Sequence, residues 1–261
     1  MSIDPKQIES DFCAWDGIED HRTGSPGDLA TDDWLAGQIH AAGATAEMSR
    51  FQFQRRDPGI ARVTSDDNTV NGLPCFDGPS RDATPIQGSA GALGSDAAIG
   101  VCQFSPGGSA ELENARHNHH HQAIIAVCAG ADIVPGLAVQ NAERFLTPFG
   151  PPVLQVPSHA TDWLLEVAKS GRALELQAEL TVASASAANV QTTVAGSEPE
   201  LPPLVIMTPK SAWWTCTAER GGGICAWLAC LRHFASTKPA RTVIFTANTG
   251  HDTCCSTTTG S

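Results

Sequence analysis

The chain contains no tyrosine, so no phenol is on hand as an acid or an oxyanion donor. It has no basic surplus: 16 Lys and Arg stand against 28 Asp and Glu, a formal net charge of −12. That balance excludes nucleic acid and anionic membranes as partners, because nothing on the chain offsets the charge of phosphates. No apolar run approaches the roughly 18 residues of a spanning helix. The N-terminus, MSIDPKQIESDF, lacks the basic segment and apolar core of a signal peptide. A cytoplasmic protein is therefore expected, with its nine cysteines held as reduced thiols. There is no C-x-x-C pair and no G-x-x-x-x-G-K-[ST] loop, which removes a P-loop nucleotide site. No helix-terminal Cys–His pairing can be named, so nothing supports a cysteine nucleophile.

What is present suits a folded chain. The 261 residues are 41% hydrophobic and 17% charged, enough for one large domain or two modest ones with real cores. Ser25, Pro26 and Asp28 form a helix start: an N-cap, a first-turn proline and a capping-box acid. The helix that follows carries Leu29, Trp34, Leu35, Ile39 and Ala42 on one side and stops at Gly43. Nothing in it signals chemistry. From Phe51 to Glu179 short apolar runs alternate with Gly, Pro, Asp and Ser, the texture of a β-rich module. One helix stands out there, starting at Ser158, carrying Trp163, Leu164 and Val167, and ending at Gly171. The polar stretch Ser184–Asn189 reads as a return loop.

The segment from Leu204 to Asp252 carries the functional signal. Leu204–Met207 and Thr242–Ala247 read as parallel strands. Ile224, Trp227, Leu228, Leu231 and Phe234 recur at helical spacing between them. A βαβ unit of this size brings Thr208–Lys210, Glu219–Gly223 and His251-Asp252 to one sheet edge, where open α/β folds bind ligands. Arg220 beside the glycines that open the helix suits a carboxylate, and Trp213-Trp214 suits a pocket wall. His117, His119, His120 and His121 form a histidine-rich stretch, which we expect to be a solvated loop. The fold expected is α/β, a mainly parallel sheet with flanking helices, interrupted by a β-rich insertion. Its parts are an N-terminal helical portion over 1–50, the insertion over 51–185, and an incomplete α/β core over 186–261.

From Asn189 to Asp252 the order of motifs resembles the M28 family of zinc aminopeptidases. Thr208-Pro209-Lys210-Ser211-Ala212-Trp213 stands where the family has His-x-Asp-Ser-x-Trp. Glu219-Arg220-Gly221-Gly222-Gly223 stands where it has an Asp before a Gly-rich helix start, and His251-Asp252 where it has Glu-Glu. The N-terminal helix with its β-rich insertion is similar to members carrying a protease-associated domain. The resemblance implies hydrolysis of an amide or peptide bond by metal-activated water. It assigns Glu219 and Asp252 as metal ligands, His251 as base or ligand, and Arg220, Gly221, Gly222 and Trp213 to a peptide or small amide substrate. Thr208 and Lys210 replace a zinc ligand and its supporting carboxylate, so the resemblance implies one zinc ion at most. The family's further ligands have no counterpart before the sequence stops, which suggests a truncated enzyme. The alternative is a non-catalytic homologue or fragment that binds small carboxylates or peptides. Oligomeric state is not legible.

Overall fold

A computed structural model describes residues 4–66, 68–105, 109–118, 120–129, 136–250 and 252. In chain order the elements are α1 (Pro5–Asp16), α2 (Pro26–Ala41), β1 (Glu47–Ser65), β2 (Asn68–Asn71), β3 (Leu73–Pro74), β4 (Ile86–Ala92), β5 (Ile99–Phe104) and α3 (Ala110–Asn118). They continue with β6 (Ala123–Cys128), β7 (Val153–Val156), a 3-10 turn (Ser158–Ala160), α4 (Thr161–Ser170), β8 (Ala173–Val194) and β9 (Leu204–Pro209). A π-helical turn (Thr217–Gly221), α5 (Gly222–Ser236) and β10 (Val243–Asn248) complete them. The architecture is mixed α/β, with sheets flanked by helices. Among the described residues no helix is long and apolar enough to cross a membrane.

The chain divides into two compact units, residues 1–55 with 184–261 and residues 56–183. In the second unit β4, β5, β6 and β7 pair in parallel. Every residue of β6 and β7 is buried, which is why their sequences are continuous apolar runs rather than alternating ones. Leu164 and Val167 of α4 pack into this core, and Gly171 ends the helix in the left-handed conformation at φ 68°. The polar stretch Glu111–Arg116 lies in α3. Arg116 is buried and held by Asp77 at 2.8 Å.

The first unit holds the expected βαβ unit. β9 and β10 run parallel with Leu204 opposite Val243 and Thr208 opposite Ala247, so both end at one edge. β10 pairs antiparallel with β8 through Val190–Val194. Val243, Phe245 and Ala247 alternate into a core shared with Ile224, Trp227, Leu228 and Leu231 of α5 and with Leu35 and Ile39 of α2. Burying each such side chain contributes about 1.5–3 kcal/mol. Helix α1 also belongs here: Asp4 caps it, Pro5 starts it, and Trp15 enters the same core. Buried Asp11 of α1 takes a two-pronged ion pair from Arg232 of α5. Ser184–Asn189, expected as a loop, lies inside strand β8. The strand runs unbroken through it from Ala173 to Val194, and this tertiary context overrides its weak strand preference.

Candidate functional site

The strand ends of the first unit are closed by a buried ionic cluster. β9 stops at Pro209, and the Lys210 amide donates to the Asn248 carbonyl at 2.7 Å. The Lys210 side chain then turns inward, fully buried, to meet Asp28 and Asp32 of α2. Its Nζ contacts an Asp28 oxygen directly and lies 2.8 Å from Asp32 Oδ1. Both carboxylates are as buried as the ammonium.

Local sequence places them. Ser25 Oγ accepts the Asp28 amide at 3.0 Å and donates to the Asp20 carbonyl at 2.6 Å. Asp28 Oδ2 accepts the Gly24 amide at 2.8 Å, so the capping acid closes on Gly24 rather than Ser25. Gly27 lies so close to the Asp20 carbonyl that a Cβ there would meet it at 1.9 Å. This tight turn sets Asp28, Asp32, Leu35 and Ile39 on one inward face. Burial raises the Asp32 carboxyl above the ordinary carboxylate range, opposed by Lys210. Asp32 Oδ2 meets no hydrogen-bond donor among the described residues.

A second knot adjoins the first. Asp252 is buried and accepts from the Thr23 amide at 3.1 Å and from the Thr23 hydroxyl. Thr249 Oγ1 donates to Asp28 Oδ2 at 3.0 Å, and the Gly250 amide donates to Thr23 Oγ1 at 2.9 Å and to Ser211 Oγ at 3.0 Å. Burial raises the Asp252 carboxyl, opposed by the bonds from Thr23 and Ser211. Beside this knot His21 stacks on Trp15 at 3.6 Å and gives its Nε2 proton to the Trp15 carbonyl at 3.2 Å. Burial lowers its pKa.

The remaining candidates sit on the turn before α5. Trp214 and Cys216 take left-handed φ values of 50° and 40°, and the π-helical turn follows. Glu219 is exposed there, pairs with Arg220 at 2.6 Å and accepts from the Cys216 thiol at 3.2 Å. Burial and the Glu219 bond push that thiol up to about 11. Arg220 is mostly buried, and its Nε has no hydrogen-bond partner among the described residues. Gly221 packs on Trp15 and Phe12, whereas the Gly222 position faces open space. Trp213 and Trp214 stack with centroids 5.9 Å apart, and Arg22 lies over Trp214.

Of the three expected metal and base residues, Glu219 is held by Arg220 and Cys216, and Asp252 by Thr23 and Ser211. His251 lies outside the described residues. Lys210, standing where the resemblance has a supporting carboxylate, pairs with the two carboxylates of α2. Among the described residues no three His, Cys, Asp or Glu groups are placed to hold a metal ion. Asp28 and Asp32 already carry a protein cation, Lys210, and the Asp252 carboxylate is held by Thr23. The described donor set therefore does not fit zinc. In the other unit His117 faces Glu113 and Phe149, and buried His121 donates to the Ala97 carbonyl. His119 lies outside the described residues.

Sequence reasoning missed Asp28, Asp32, Thr23, Ser211 and Thr249. One signal was readable. Asp28 and Asp32 share the face of α2 that carries Leu35 and Ile39, and acids on an apolar face require a buried partner.

No protein-family model and no curated protein matches the chain. Solved structures do. The zinc aminopeptidase BSAP from Bacillus subtilis aligns at TM-score 0.72 and 13% identity, over 93% of this chain and 60% of its own. A peptidase M28 precursor from Shewanella amazonensis SB2B aligns at 0.69 and 15%, over 93% and 66%. The aminopeptidase from Aneurinibacillus sp. strain AM-1 aligns at 0.67 and 14%, over 94% and 62%. The chain thus spans 60–66% of the length of these neighbours. Its fold is the α/β fold of the M28 zinc aminopeptidases.

Proposed function

We propose that this protein uses the M28 fold to bind a peptide or small carboxylate at its strand ends, without zinc-dependent hydrolysis. The observation that carries this reading is Lys210. Its ammonium pairs with Asp28 and Asp32 beside the strand ends, so a divalent ion placed against those two carboxylates would face a like charge.

The binding groups on this reading are Arg220 and Trp213; Gly221 and Gly222, expected to offer free amides, instead continue the π-helical turn into α5. The Glu219–Arg220 pair supports it. Glu219 is exposed, and opening such a pair costs about 0–1 kcal/mol. A ligand carboxylate can replace it on a guanidinium that is already largely desolvated. Glu219 is then an internal competitor, and Glu219→Gln should tighten carboxylate binding. As a metal ligand, Glu219 would behave in the opposite way.

The fold likeness to zinc aminopeptidases favours a second reading, peptide-bond hydrolysis with one zinc on Glu219 and Asp252 and with His251 as base. One experiment separates the two. Bound zinc is measured on untagged protein with His117, His119, His120 and His121 changed to Ala. Thermal stabilisation by the tripeptide Ala-Ala-Phe and by its C-terminal amide is measured alongside. We expect no stoichiometric zinc, stabilisation by the free acid only, more of it in Glu219→Gln and none in Arg220→Ala. Stoichiometric zinc lost in Glu219→Gln and Asp252→Asn, with chelator-sensitive cleavage, would establish the hydrolase and overturn the binding reading.

A further inference from the structure

Helix α1 carries a groove that the strand-end site does not use. Ile8, Glu9, Phe12, Cys13 and Asp16 recur at three- and four-residue steps, which sets them on one helix face. With Thr217 of the π-helical turn they border a cavity of about 450 Å³, within the roughly 300–1,000 Å³ usual for small-ligand sites. Its floor is apolar: Ile8 and Phe12 are half-buried, and Phe12 rests against Gly221, where a Cβ would lie 3.4 Å from the ring. The walls are acidic. Asp16 accepts a hydrogen bond from Thr217 Oγ1, and Glu9 is exposed. Among the described residues neither carboxylate has an ion-pair partner. Seven residues of α-helix separate them by about 10.5 Å along the axis, with the apolar floor between.

We infer that this groove binds amines with an apolar body, and binds best those with two ammonium groups about 10 Å apart. The ammonium groups sit at Glu9 and Asp16, and the hydrocarbon lies over Ile8 and Phe12. Charge complementarity selects the class: two unpaired carboxylates on a chain of net charge −12 attract cations and repel anions. The inference is independent of what binds at Arg220.

The test is calorimetric titration of the full chain with 1,8-diaminooctane, octylamine and octanoate. Cys13, an exposed thiol on the groove face, is also alkylated with and without ligand and mapped by mass spectrometry. The diamine should bind about two- to fivefold more tightly than the monoamine, the gain of one partly exposed ion pair. Octanoate should not bind, and saturating diamine should slow Cys13 alkylation. In Glu9→Gln, a surface change that leaves the core intact, the diamine's advantage should vanish. Equal binding of octylamine and octanoate would show an apolar surface without charge selection and overturn the inference. So would an undiminished diamine advantage in Glu9→Gln, unchanged Cys13 alkylation at saturation, or no amine binding at millimolar concentration.

Discussion

Replacing Lys210 by Met removes the ammonium and keeps most of the hydrocarbon. Asp28 and Asp32 would then remain at 0% and 1% exposure with no cation between them. Removing one partner of a buried ionic set costs about 3–5 kcal/mol, against a total stability of roughly 5–15 kcal/mol. With a urea dependence of about 2–3 kcal/mol per molar, the unfolding midpoint should fall by about 1–2.5 M. Tryptophan fluorescence follows the relevant unit, because every tryptophan except Trp163 belongs to it. The cost should depend on pH. The Asp32 carboxyl already lies above its ordinary value through burial, and Lys210 holds it down. A carboxyl raised in the folded state binds its proton more tightly there. Its contribution is therefore complete below about pH 4 and is lost as pH rises through the folded value. Without Lys210 that value climbs further, so the gap between variant and parent should be widest near pH 8 and narrowest near pH 4. Adding Asp28→Asn and Asp32→Asn should recover most of the loss, since a buried ionic set and a neutral one of similar shape are close to break-even. A gap below about 1 kcal/mol at pH 8 would refute the reasoning, because the buried-pair cost on which it rests is several times larger. A gap independent of pH, or no recovery in the triple variant, would do the same.

Asp252→Asn should flatten the pH dependence of stability above about pH 4, because burial raises the Asp252 carboxyl and the parent loses that increment as pH rises; parallel urea titrations at pH 4 and pH 8 measure it. Gly27→Ala should lower the melting temperature although it sits in a helix. The overlap with the Asp20 carbonyl costs about 1–3 kcal/mol and exceeds the roughly 1 kcal/mol that alanine gains over glycine. Iodoacetamide at pH 8 should label exposed Cys13 before the other described cysteines and leave Cys75 and Cys102 intact, since burial pushes both of those thiols up to about 12. Rapid labelling of Cys75 in native protein would show that its core opens readily.

Elements with strong local signals were legible. Helix α2 announced itself through Ser25, Pro26 and Asp28, α4 through its apolar face and Gly171, and the β9–α5–β10 unit through two apolar runs around a 3.6-residue repeat. Elements whose cause lies in packing were not. Ser184–Asn189 is poor in strand formers and becomes strand only because β8 continues through it. The π-helical turn at Thr217–Gly221 has no sequence pattern of its own. The motif spacings brought these residues toward one sheet edge, yet they could not show what Lys210 meets there. Its partner Asp28 is 182 residues away, on a helix whose sequence already explained that acid as a cap.

That double role is the physical point of the site. Asp28 faces its own helix start through Gly24, and the strand ends through Lys210 and Thr249. A capping carboxylate in water contributes about 1 kcal/mol to a helix; buried beside an ammonium it also fixes where two strands end. The apolar layers of the M28 fold need only volume and periodicity, which 13–15% identity with its neighbours is enough to preserve. Buried carboxylates at the strand ends need a cation. A divalent ion held by acids and imidazoles is one solution, and a lysine held by two aspartates is another. The second pairs two of the buried carboxylates with a cation drawn from the chain itself. On the binding reading proposed above, a ligand meets this edge at the turn before α5, where Arg220 is held by the exposed Glu219 carboxylate.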